Sequence, residues 1–265
     1  MTLARWLVPL LALCAAAGSV GAQQGSVRIA ADPRVELVAI VFRLGGASEF
    51  SQADYAQYDS AVRRSFEPHR THEAVALARE LRERRGVSFS TVMSLAIALE
   101  PFPALGLRVA ADSVLPGRVP GAEMTRFAEA LHRFAEDSRA AEFFAEQGPR
   151  LDSAAARLAH PVQEARAFEW ITAFFGGPDD RDFVVAPLLA NSPGNYGVCV
   201  TPTRGSGAPR QECWQILGHS ATDSGGFALW GPQTVELLVH EISHGYANPT
   251  GNANSGALEA PMRRV

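Results

Sequence analysis

At residues 176 to 181, GGPDDR, the apolar pattern of the chain changes period, and this constrains the fold more than any other feature. Before that point the apolar residues recur at helical spacing. After it they fall into short runs, FVVAPLLA, NYGVCVT, CWQILGH and GGFALW, separated by Gly, Pro, Asn and Ser, which is the signature of strands and turns. A long helical portion followed by a small sheet predicts an α+β fold, and the short alternating runs predict that the sheet is mainly antiparallel.

The helical portion can be divided. Asp32 and Pro33 precede an almost unbroken apolar stretch, 35–44, and Gly45-Gly46 follows it, so a capped and buried helix is expected there. HEAVALARELRERRG predicts a second helix, with His72 at its start, arginines in its last turn where they complement the helix dipole, and Gly86 at its end. A third runs from about Ser88 to Leu99 and stops before Pro101. Residues 122–146 carry Phe127, Leu131 and Phe134 at helical spacing, and residues 150–175 form another helical stretch with a break expected at Pro161.

With 265 residues and 47% hydrophobic content, the chain can bury a large core. The formal net charge of -4 gives no basic footprint for nucleic acid, and its 24 basic residues are all arginine, with no polybasic run. Arg5, an apolar run over 6–17 and the small residues of Val20-Gly21-Ala22 read as an export signal cleaved after residue 22. The apolar run is too short for a permanent membrane span. Cys14 raises the alternative of a lipoprotein, but Leu13 stands where a small residue is expected before it. The mature chain, 23–265, is then read as one domain, with a mainly helical part over 23–176 and a sheet with a motif-bearing helix over 177–265. Its two remaining cysteines, Cys199 and Cys213, are expected to form a disulfide in an oxidising compartment.

The motif is VHEISHGYANP, 239–249. Pro232 and Asn248-Pro249 bracket a helix, on which His240 and His244 project from one face one turn apart with Glu241 beside them. Val235, Leu238, Val239, Ile242 and Tyr246 form the opposite, core-facing stripe. Two such imidazoles can share a zinc ion, and the carboxylate of Glu241 can take a proton from a water that the ion has acidified. This is the H-E-x-x-H arrangement of metallopeptidases. Ala247 and Thr250 replace the Gly and His that a metzincin needs, and Glu259 is the one acidic residue after His244, hence the candidate third ligand. Asn195, Tyr196 and Gly197 could begin an edge strand that takes an extended substrate by strand addition, or a turn with a packed tyrosine. His69, His132, His160 and His219 stand alone and read as surface or core residues.

Together with VELVAIVFRLGG, HEAVALARELRERRGVSFSTVMSLAI, FFAEQ, WITAFFGG and NYGV, the motif gives a chain that resembles a family of secreted bacterial proteins carrying a zincin signature, read as gluzincin-like metallopeptidases. The resemblance covers nearly all of residues 34–249. It implies a helical part feeding a zincin-type sheet and active helix, Zn²⁺ held by His240 and His244, Glu241 as general base, and a peptide or protein substrate. It also implies a downstream helix with a glutamate ligand, so this sequence reads as a family member that stops short of it. The alternatives are a non-catalytic binding protein that keeps the scaffold and, less favoured because a closed set of Cys and His ligands is missing, a structural zinc site.

Overall fold

A computed structural model describes residues 27–52, 55–176, 181–191, 194–203, 210–219, 221–231 and 233–253. The segment read as an export signal and Glu259 lie outside the described residues.

The described residues open with a short strand, β1 (Val27–Ile29), and enter α1 (Pro33–Leu44). Asp32 caps α1, its Oδ1 accepting from the Arg34 N–H at 2.9 Å, and Pro33 fills the first helical position as expected. Residues 34–42 are all buried, which explains why the run is apolar on every side. Around α1 gather α2 (Ala56–Phe66), α3 (Glu73–Arg85), α4 (Ser90–Ile97) and α5 (Gly121–Asp137). His72 is a cap: its Nδ1 accepts from the Ala74 N–H at 3.1 Å. Gly86 ends α3 in the left-handed region, φ 64°, a conformation that favours glycine.

Two helical boundaries differ from expectation. The chain turns at Ser138 and Arg139, and α6 then runs continuously over Ala140–Glu164, through both Pro149 and Pro161. The break comes instead at Ala165 and Arg166, before α7 (Ala167–Phe174). Pro161 therefore does not end the helix; Leu158 and Val162 on either side of it are buried and hold the segment in register.

The sheet is mixed, which corrects the mainly antiparallel expectation. Its order is β1-β2-β4-β3, with β2 (Asp182–Leu188) parallel to both β1 and β4 (Glu212–Gly218), and β3 (Asn195–Val200) antiparallel to β4 at one edge. Between β1 and β2 the described residues include the α-helices α1 to α7, so the chain returns to the starting end of the sheet and can pair in parallel. A separate antiparallel pair, β5 (Ala221–Thr222) with β6 (Ala228–Leu229), follows, and α8 (Gln233–Ala253) comes next. α8 continues past Asn248 and Pro249, where the sequence predicts its end.

Both faces of the central strands are covered. Val184, Ala186, Leu188, Trp214 and Ile216 join the core around α1, while Phe183, Val185, Cys213 and Leu217 join Leu158, Ile171, Leu238 and Ile242 of α6, α7 and α8. Burial on both sides makes β2 and β4 near-continuously apolar. The helical body thus fixes one face of the sheet, and α8 lies on the other.

Candidate metallopeptidase site

Helix α8 is seated by its apolar stripe. Leu238 and Ile242 are fully buried, a contribution of roughly 1.5–3 kcal/mol each. Toward its C-terminal half the Tyr246 ring stacks on Phe175 at 4.1 Å, with the Arg181 guanidinium 4.0 Å from the Tyr246 ring centre. Just ahead of α8, the Trp230 indole donates to the Gly218 carbonyl at 2.9 Å, tying the approach to the helix to the end of β4.

With the stripe inward, His240 is exposed and Glu241 half-buried. His244 lies one turn beyond His240 on the same helix; its side chain is outside the described residues. Glu241 leans over the edge strand. A Cβ added to Gly197 of β3 would stand 3.0 Å from Glu241 Oε2, 3.1 Å from the Glu241 carbonyl oxygen and 3.2 Å from Gln215 Oε1. Any side chain at 197 would press the strand and α8 apart by a few tenths of an ångström, and glycine avoids this. Gln215 is 2% exposed, and its Oε1 has no hydrogen-bond partner among the described residues.

The other strand residues sort by face. Tyr196 turns away from α8 into the helical body, stacks on Phe50 and accepts a hydrogen bond from Asn191 Nδ2 at 2.9 Å. Burial pushes its phenol up to about 12, so it stays neutral. The expected edge strand and the packed tyrosine are therefore both present: side chain inward, backbone at the edge of the sheet. Cys199 and Cys213 face each other across β3 and β4 and form the expected disulfide, Cα to Cα 4.1 Å. It ties the edge strand to its neighbour two residues from Gly197.

Among the described residues no group of three His, Cys, Asp or Glu side chains converges as a metal site, and these residues include neither the His244 side chain nor Glu259. The donor chemistry on α8 suits zinc: imidazole-bearing positions one turn apart and a carboxylate beside them. The unpartnered Gln215 oxygen adds an acceptor near that carboxylate, suited to a proton-bearing ligand. Sequence reasoning passed over Gln215, whose signal is a lone amide in the apolar run CWQILG.

Comparison of the chain with protein-family models, with curated proteins and with solved structures gives no match. The described residues include no helix long and apolar enough to cross a membrane.

Proposed function

We propose that this protein is an exported zinc-dependent metallopeptidase of gluzincin type. The observation that carries the reading is the position of Glu241: on the motif helix, beside His240, with its carboxylate against the backbone of the edge strand at Gly197. His240 and His244 would hold the metal, and Glu259 is the candidate third ligand. Bound there, zinc would polarise a substrate carbonyl and acidify a water. Glu241 would accept the proton of that water and return it to the leaving amine nitrogen. The outer edge of β3, with Gly197 near its centre, would align an extended peptide by main-chain hydrogen bonds. The Cys199 to Cys213 disulfide supports export to an oxidising compartment.

The test uses mature protein, 23–265, purified with zinc and dialysed. Metal analysis should give about one zinc per chain, lost in His240→Ala and kept in Glu241→Gln, while hydrolysis of an unfolded protein substrate should vanish in both. Zinc retention with no hydrolysis by the unaltered chain would overturn catalysis in favour of a binding protein. No zinc retention would overturn the metal reading itself.

A further inference from the structure

Glu36 is the one acidic residue in the apolar stretch of α1, and it is fully buried. Its Oε1 accepts from the Leu189 N–H at 2.6 Å; its Oε2 accepts from the Ala190 N–H at 2.9 Å and from the Tyr58 hydroxyl at 3.1 Å. These two backbone groups follow the last residue of β2. The next residue, Asn191, reaches Tyr196 of β3 through its side chain, and the Asn191 carbonyl accepts from the Gly194 N–H at 3.3 Å. One carboxyl on the central helix thus grips the exit of β2, and Asn191 carries that grip to the residue beside Gly197.

We propose that Glu36 is a proton-operated latch and a positioning residue for the edge strand: neutral, it stays seated beneath Leu189 and Ala190; ionised, it favours opening of that segment to water and loosens the start of β3. Its consequence for hydrolysis rests on the peptidase reading above; the latch itself does not.

The direction follows from the surroundings. Burial pushes the Glu36 carboxyl from its ordinary 4.5 up to about 7, even though the two N–H groups and Tyr58 favour its charged form. Of the charged and titratable groups around it, Asp32 on α1 adds repulsion, and Tyr58 of α2 is itself held neutral by burial, with Arg150 of α6 acting on Tyr58. From the end of β2 come the Leu189 and Ala190 N–H donors. When the segment opens, water solvates the carboxyl and its ordinary affinity for protons returns. The closed form therefore binds the proton more tightly, and opening gains about tenfold per pH unit as pH rises from about 5 to about 7, then levels off.

Amide hydrogen exchange on the unaltered chain, read between pH 5 and 8 and corrected for intrinsic base catalysis, tests this. Amides at 189–191 and 194–197 should lose protection about tenfold per unit up to about pH 7, while amides of α3 and α5 that exchange by local openings, with Glu36 still buried, keep theirs. Glu36→Gln should remove the slope. Tyr58→Phe deletes a donor that favours the charged form, so it should move the plateau to higher pH. Protection at these amides that ignores pH, or a slope that survives Glu36→Gln, overturns the latch. Because exchange needs neither zinc nor substrate, the latch and the peptidase reading fail or stand separately.

Discussion

Gly197 lies beneath Glu241, where a methyl group on its Cα would meet the Glu241 carboxylate at 3.0 Å and the helix backbone at 3.1 Å. The carboxylate can swing aside, but the carbonyl oxygen belongs to α8, which Leu238 and Ile242 anchor. Gly197→Ala should therefore push the strand and helix apart by a few tenths of an ångström and cost about 1–3 kcal/mol in a denaturant titration. Gly197→Val should cost more. If zinc and hydrolysis are present, Gly197→Ala should reduce turnover while metal content stays the same, because it disturbs Glu241 and not the histidines. An alanine variant with unchanged midpoint and turnover would show that the close approach has no energetic weight.

The disulfide closes a loop of modest length, Cys199 and Cys213 being separated by 14 in sequence. In the chain-entropy model such a bridge contributes about 3 kcal/mol by restricting the unfolded chain. Cys199→Ser with Cys213→Ser should lower stability by about that amount, and adding reductant to the unaltered protein should reproduce the loss. Both should raise hydrogen exchange in β3 more than in β2, since β2 is paired on both sides and β3 has a single neighbour. Equal exchange in the two strands would refute this local effect.

The capped helix α1, the αL stop at Gly86 and the pairing of the two cysteines were legible because each rests on local chemistry: a cap, a glycine, two thiols joined by a turn-rich stretch; the fold class was legible from the change of apolar period. Strand direction was not. FVVAPLLA reads the same in either orientation, and only the return of the chain after α7 makes β2 parallel to β1. The helix α2 drew no notice although Tyr58, Ala61, Val62 and Phe66 recur at helical spacing, because charged and turn-forming residues crowd around them. At the candidate site, the face shared by His240, Glu241 and His244 follows from the helical period alone. That Glu241 meets Gly197, and that Gln215 lies near both, depends on the register of β3 with β4, which no local pattern encodes.

Arg108 fixes the region after α4 to the sheet. Its guanidinium donates to Glu212 Oε1 at 3.0 Å, to Glu212 Oε2 at 2.8 Å and to the Ile97 carbonyl at 2.8 Å. Burial alone would push the Glu212 carboxyl up, but the Arg108 fork outweighs it and holds it below the ordinary carboxylate range. Arg108→Leu leaves that carboxylate with no countercharge from Arg108 at the start of β4, so a loss of about 3 kcal/mol is expected. Adding Glu212→Gln should restore much of it, because the half-buried charge is then gone. A double variant as unstable as the single one would mean that the packing of the arginine stem matters more than the ion pair.

Glu36 also sets a global pH dependence with the opposite slope to carboxylates paired with arginine. In the unfolded chain it ionises near 4.5, whereas in the folded chain it holds its proton up to about 7. Its contribution is fully present below 4.5 and is lost as pH rises toward 7, by on the order of 3 kcal/mol. Asp59 and Glu212, whose folded forms favour ionisation, act in the other direction and lose their contributions only at lower pH. Between pH 5 and 7 Glu36 should dominate, so the urea midpoint of the unaltered protein should fall over that range. Glu36→Gln removes the ionisable group but places an amide where Oε1 or Oε2 accepts a backbone N–H, so it should be less stable than the parent at pH 5 and close the gap by pH 7. Parallel pH profiles for the two proteins would show that Glu36 ionises without cost, and that its burial is relieved by contacts other than those to Leu189, Ala190 and Tyr58.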